Sequence, residues 1–359
     1  MTVRLDADPA LVVDALTEQL RHDVRRCGID PQSDLPQVRS LASDLVRSHD
    51  ERSLTGAVTP LHSPDAVVDE LVARVAGFGP LQALLDDPTV EEIWINAPSR
   101  VFVAREGRHE LTNVILTSEE VRELVERMLK ASGRRLDVSS PFVDATLPQG
   151  HRLHVVLEGI SRGFSAVNVR KFLLKAARLS DLVELGSLSS HAASFLEASV
   201  RAGLNLVVAG GTQAGKTTML NCLATAVPGV ERIITVEEVF ELRFQHGDTV
   251  GLQTRQAGLE GTGEVTLRDL VREALRMRPT RIIVGEVRSA ECLDLLLALN
   301  TGHDGGAGTL HANSLFEVPA RMEALAALGG LDRAALHSQL AAAVHMVLTM
   351  ERTPQGRRL

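Results

Sequence analysis

The chain has 359 residues, of which 44% are hydrophobic and 23% charged. That length accommodates about two domains with buried cores, and that balance excludes wholesale disorder. Its 38 Lys and Arg against 46 Asp and Glu leave a net charge of −8, and aromatics make up 3%, so it lacks the field and stacking platforms of a dedicated nucleic-acid binder. Cys27, Cys222 and Cys292 are scattered, which argues against a disulfide framework or zinc knuckle and for a reducing compartment. The most apolar stretches (204–211, 293–299 and 341–350) fall short of the ~18–20 residues a membrane span needs. MTVRLDADPA opens on acids and a proline, where a signal peptide needs a basic patch and then an apolar core. These features predict a cytoplasmic protein that meets a membrane through a partner.

In chain order, residues 10–26 and 35–48 show apolar residues at helical spacing and predict a short helical extension. Residues 53–64 carry Gly56, Pro60 and Pro64 and read as a linker, which places the first boundary at 63. A helix over 65–74 follows, then strands over 90–96 and 101–104 around the turn Asn96-Ala97-Pro98-Ser99. Thr117-Ser118-Glu119-Glu120 is a capping box, and Val121, Leu124, Val125, Met128 and Leu129 fall on one face of the helix it starts. Strands over 153–157 and 166–170 complete an α+β domain, 64–174. From 175 to 359 the pattern changes. Short strands at 204–209, 232–236, 281–284 and 308–310 alternate with helices at 216–226, 267–278 and 290–300. That order specifies a mostly parallel, doubly wound α/β sheet whose ligands bind beyond the strand carboxyl ends.

Gly210-Gly211-Thr212-Gln213-Ala214-Gly215-Lys216-Thr217 matches the phosphate-loop pattern G-x-x-x-x-G-K-[ST] and sits between a strand and a helix, as that loop must. Backbone N–H groups have to wrap a polyphosphate closely, Lys216 reaches the β- and γ-phosphates, and Thr217 offers a hydroxyl to Mg²⁺. The bare pattern arises by chance in a chain this long on the order of once in a hundred. The loop and Thr218 after it are therefore the candidate contacts of ATP and its Mg²⁺. Gln213 stands where many such loops carry another glycine; if the position needs φ > 0, glutamine costs about 1–2 kcal/mol there.

Arg281-Ile-Ile-Val-Gly-Glu286 is an apolar strand ending in an acid, the Walker B arrangement that holds the Mg²⁺ shell. Ile233-Ile-Thr-Val-Glu237-Glu238 ends another strand in paired acids, with Glu241 following. A glycine run lies between His303 and His311. Arg268, Arg272 and Arg276 recur on one face of the predicted helix 267–278, preceded by Arg255. Such cations could neutralise charge at a γ-phosphate, in cis or from a neighbouring subunit, or form a solvated face paired with Glu273. Arg255 is the preferred inter-subunit candidate.

Phosphate loop, acidic box (235–242), Walker B and histidine box (301–314), in that order, resemble the type II/type IV secretion ATPases, with the Tad (Flp-type) pilus assembly branch as the close match. Gly77-Phe-Gly-Pro80-Leu, Asp87-Pro-Thr-Val-Glu-Glu-Ile93 and Val169-Arg170-Lys171-Phe172 agree, and the resemblance covers about 65–350. It implies a RecA-like P-loop NTPase domain preceded by a smaller α+β, PAS-like domain. It also implies a homohexamer at the inner face of the cytoplasmic membrane, working with a polytopic platform protein on pilus assembly or protein secretion. By motif position, Glu237 is the water-polarising acid, Glu286 the Walker B acid and metal contact, and His311 a γ-phosphate sensor. Arg170 and Arg152 are nucleotide contacts from the N-terminal domain, and 173–185 is the hinge. This chain carries Glu238 where Asp is usual, Gln253 for an acid and Thr146 for a base, and it ends soon after the turn 353–356, where relatives continue into a closing strand. The alternatives are a DNA-transfer motor of the same superfamily, which the net charge does not favour, and an ATP-binding regulator without turnover.

Overall fold

Val13, Leu16, Leu20 and Val24 recur every three or four residues and are buried, which gives helix α1 (Pro9–Arg26) one apolar stripe. α2 (Leu35–Leu54) starts on Asp34, whose side chain accepts the Gln37 N–H. α3 (Pro64–Val75) opens on proline, whose missing N–H costs nothing at a first turn. The three stripes close on one another around Leu20, Val38, Ala42 and Leu71. The expected boundary at 63 is thus not a break in packing, because α3 shares its core with the two preceding helices. The computed structural model describes residues 9–31, 33–105, 107–132, 134–172, 176–257 and 262–359.

After α4 (Gln82–Asp86) come β1 (Val90–Ala97), β2 (Arg100–Arg105), β3 (Arg108–Leu111), α5 (Ser118–Ser132), β4 (Phe142–Thr146), β5 (Arg152–Val156) and β6 (Ala166–Arg170). The six strands form one antiparallel sheet in the order β3-β2-β1-β6-β5-β4. Alternate residues such as Ile93, Ile95, Val101, Leu153 and Val167 share a core with the apolar face of α5. The capping box forms: Thr117 N–H donates to Glu120 Oε2 at 2.7 Å, and Glu120 N–H to Thr117 Oγ1 at 3.2 Å. This first unit runs over Met1–Lys171.

The second unit, Phe172–Leu359, alternates as predicted: α6 (Leu179–Glu184), α7 (Ser190–Arg201), β7 (Leu206–Gly210), α8 (Lys216–Ala224), β8 (Ile233–Glu237), β9 (Thr249–Gln253), α9 (Leu267–Ala274), β10 (Arg281–Val287), α10 (Glu291–Leu299), β11 (Ala307–His311), α11 (Glu317–Ala327), α12 (Arg333–Ala343), β12 (Met346–Thr353) and β13 (Gly356–Arg358). Seven strands lie in the order β13-β12-β7-β11-β10-β8-β9, parallel except where β13 returns against β12. Two cores cover its faces, one around Val236, Val284, Leu295 and Leu336, the other around Val208, Leu220, Ile283 and Leu196. The sheet is therefore doubly wound, and β7, β8, β9, β10 and β11 present their carboxyl ends on one edge. Two expectations change. Within the hinge expected over 173–185, residues 173–175 lie outside the described residues, while Leu179 and Leu182 of α6 are buried in the second unit's core and cannot act as a free joint. The turn at 353–356 leads into a short closing strand, β13.

Candidate active site

The phosphate loop joins β7 to α8 with three positive φ angles, at Gly210 (151°), Gln213 (60°) and Gly215 (99°). A Cβ on Gly210 would strike the Met350 carbonyl on β12, whereas one on Gly211 would meet nothing within 4 Å. Neighbouring strand packing, as well as the room a phosphate needs, thus dictates the first glycine. Gln213 does occupy the left-handed conformation. Ala214 anchors the loop in the core, while Thr212 and Gln213 stand exposed above it and Thr218 is half-buried in the first turn of α8. The buried Lys216 ammonium donates to the carbonyls of Gly210 (3.1 Å) and Gly211 (3.0 Å) and lies 3.4 Å from His311 Nε2.

From His311 the site continues into the Walker B strand. His311 Nε2 lies 2.9 Å from Glu286 Oε1, off the direction of a hydrogen bond, so that buried oxygen has no hydrogen-bond donor among the described residues. The other oxygen, Glu286 Oε2, accepts from Arg288 at 2.6 Å, and Arg288 reaches on to Glu238 Oε2 at 2.5 Å. Burial works to raise the Glu286 carboxyl, but Arg288, helped by His311 and Lys216, outweighs it and holds the group below the usual glutamate range. Burial and the Lys216 ammonium hold His311 below its ordinary value, which leaves the imidazole neutral at pH 7.

Glu237 is 2% exposed. Its Oε2 accepts the N–H groups of Glu241 (2.7 Å) and Leu242 (2.8 Å), and its Oε1 lies 3.4 Å from the Thr235 hydroxyl. Burial dominates over those bonds and pushes its pKa up to about 7. The turn it holds brings Glu241 to the phosphate loop, where the Thr217 hydroxyl donates to Glu241 Oε2 at 3.3 Å. Thr217, Glu241 and the donorless oxygen of Glu286 are hard oxygen ligands of the kind Mg²⁺ takes alongside phosphate and water, so these residues fit the ion. Sequence reading noted Glu241 without giving it a role and passed over Arg288. A charged residue two places after the Walker B acid was the available signal, but its partner Glu238 follows a different strand, β8.

The arginines separate into three groups. Arg268 and Arg272 bind the two oxygens of Asp294 on α10, at 2.6 and 2.8 Å, and Arg276 pairs with Glu273 at 2.9 Å. The stripe is therefore a structural clamp rather than a set of cations awaiting a phosphate. Arg255 lies exposed just past β9, with its backbone bridged to Val265 and its Nε donating to Gly263 O at 2.8 Å. In the first unit, Thr146, Arg152 and Arg170 stand in one row across β4, β5 and β6, and Arg152 contacts Asp144 at 3.3 Å.

Residues 74–355 match the Type II/IV secretion system protein family. A putative conjugal transfer protein of Mycobacterium tuberculosis is 46% identical over 295 residues, covering 80% of this chain and 84% of its own. The conjugal transfer protein TrbB of Rhizobium radiobacter is 31% identical over 280 residues, covering 77% and 83%. The crystal structure of the pilus retraction motor PilT with bound ADP shares the fold, at TM-score 0.55 and 20% identity over 77% of this chain and 79% of that one. No described helix is long and apolar enough to cross a membrane. On its four motifs, its fold and its relatives, the chain belongs to the type II/IV secretion system ATPase superfamily.

Proposed function

We propose that the protein hydrolyses ATP to drive a secretion or pilus machine. The observation that carries this reading is the continuous set of contacts Lys216–His311–Glu286–Arg288–Glu238, which ties the phosphate loop to both acidic strands. The two acids are driven in opposite directions. Glu286, held ionised, suits the metal shell together with Thr217 and Glu241, where Mg²⁺ would neutralise phosphate charge. Glu237, with a pKa near 7, can take a proton from an attacking water at neutral pH, and we assign it that role. Lys216 and the loop amides hold the phosphates, and we assign the γ-phosphate sensor role to neutral His311, whose contacts with Lys216 and Glu286 support it. Arg152 and Arg170 are the nucleotide contacts we assign to the N-terminal unit.

At finer grain, we assign the chain to Tad-type pilus assembly as a homohexamer, peripheral to the inner face of the cytoplasmic membrane and partnered by a polytopic platform protein. The motif order and the flanking segments at 77–81 and 87–93 support this. A DNA-transfer role is the second reading, favoured by the naming of the M. tuberculosis and R. radiobacter relatives as conjugal transfer proteins. ATPase activity stimulated by added DNA would select it. Phosphate release by the purified chain tests turnover itself. Lys216→Ala should abolish that release, since it removes the one point charge built into the loop; a variant that keeps most of the activity would end the ATPase assignment, and a wild-type chain that binds ATP without releasing phosphate would be a regulator.

A further inference from the structure

Gln213 sits at the crest of the phosphate loop with φ 60°, a conformation that disfavours any residue with a Cβ and one that the loop nevertheless requires. Two arginines from the β12–β13 hairpin converge on it. Arg352 Nη1 donates to the Gln213 side-chain oxygen at 2.9 Å, and Arg357 Nε donates to the Gln213 carbonyl at 2.9 Å. The Arg357 stem also lies over Gly215, where an added Cβ would stand 3.1 Å from Arg357 Cδ. The hairpin is itself fixed. β12 runs parallel to β7 up to the pair Met350–Gly210, Thr353 Oγ1 closes the turn on the Gly356 carbonyl at 2.9 Å, and Leu359 N–H donates to Ser187 O at 3.0 Å. The guanidinium groups are thus delivered by a strand that belongs to the same sheet as the loop.

We propose that Arg352 and Arg357 are positioning residues of the nucleotide site: the terminal hairpin holds Gln213 in its left-handed conformation and so keeps the loop amides set to receive phosphate. Each arginine grips a different part of the same residue. Arg352 uses the side chain that a glycine would lack, and Arg357 uses the carbonyl whose orientation φ and ψ decide. A loop with glycine at this position would adopt the conformation unaided; here the glutamine supplies the handle by which the hairpin enforces it. The inference rests on the nucleotide-site reading above.

The experiment is a double-mutant cycle on the full chain, read as the equilibrium dissociation constant for ADP together with KM and kcat for ATP. Releasing the left-handed preference should weaken ADP binding about 5–30-fold in Arg352→Ala and in Arg357→Ala, the range set by the penalty for a non-glycine residue in that conformation. KM should rise with little change in kcat. In the Gln213→Gly background the same two substitutions should each change ADP affinity less than about twofold. Arg357→Lys, which keeps a charged donor but not the Nε that meets the Gln213 carbonyl, should fall between wild type and Arg357→Ala. Equal losses with and without Gln213→Gly would mean that the arginines touch the nucleotide or hold the fold, and would overturn the proposal; so would unchanged binding in both single variants. Arg352 is exposed, so its substitution leaves the core intact, and a melting temperature within a degree or two of wild type confirms this. If the wild-type chain binds no ADP, the nucleotide-site reading itself fails; if it binds and the cycle shows no coupling, only the hairpin inference does.

Discussion

Glu237 and Glu286 stand on adjacent strands, β8 and β10, and their surroundings drive them apart. One has two backbone amides but little solvent; the other has a guanidinium. Replacing either by glutamine keeps shape and hydrogen-bonding reach while removing charge, so ATP affinity should stay near wild type and turnover should fall by about 10²–10⁴-fold. Parallel loss of binding and turnover would instead make the acid structural. Glu237 carries a second signature. Its folded pKa of about 7 stands above the ordinary 4.5, so between those values the folded chain holds a proton that the unfolded chain has released. The stability tied to that proton is fully present below about 4.5 and is lost as pH rises through about 7, up to about 3 kcal/mol. Glu237→Gln should therefore gain on wild type as pH rises from 5 to 8, seen as a widening gap in urea midpoints. Parallel curves would show that the carboxyl titrates normally.

Helices α9 and α10 are joined by the two-arginine grip on Asp294, whose side chain is 9% exposed against 31% and 52% for Arg268 and Arg272. Asp294→Asn should cost about 2 kcal/mol, the range for hydrogen bonds to a charged group, read from urea unfolding, while the folded enzyme keeps its kcat. A large kcat loss in fully folded Asp294→Asn would return the arginines to the chemistry. This clamp marks the limit of what the sequence disclosed. The phosphate loop, its strand and its helix were legible because their residues are neighbours in the chain. β9, only five residues long and without a fully buried residue, and β12, preceded by His345 in an otherwise apolar run, were not. The pairings Thr217–Glu241, Glu238–Arg288 and Arg268–Asp294 escaped for another reason: each joins charged or polar residues far apart in sequence, and charge alone does not say which partner the fold will bring.

Across the whole sheet, Arg255 follows β9, four strand positions from β7. At about 4.8 Å per strand that is about 19 Å, beyond the reach of an arginine side chain to its own phosphate loop. Arg255 therefore follows an outer-edge strand, and its in-trans role is a proposal that a neighbouring subunit's nucleotide comes to that edge. ATPase activity per subunit should then rise with protein concentration from nanomolar to tens of micromolar. Arg255→Ala should lower turnover more than ATP binding, and mixing it with Lys216→Ala subunits should restore some activity, because each supplies what the other lacks. Flat activity and no rescue would refute the in-trans role. The order of strands also bears on how the protein is made. β7 is flanked by β11 and β12, both of which are synthesised after it, and the arginines that grip Gln213 lie at the end of β12 and in β13. A nascent chain that has only just completed its phosphate loop therefore has neither the strands that flank β7 nor the hairpin that sets its crest. On the proposals above, a site ready for nucleotide then requires synthesis through β13, about 140 residues after the loop itself.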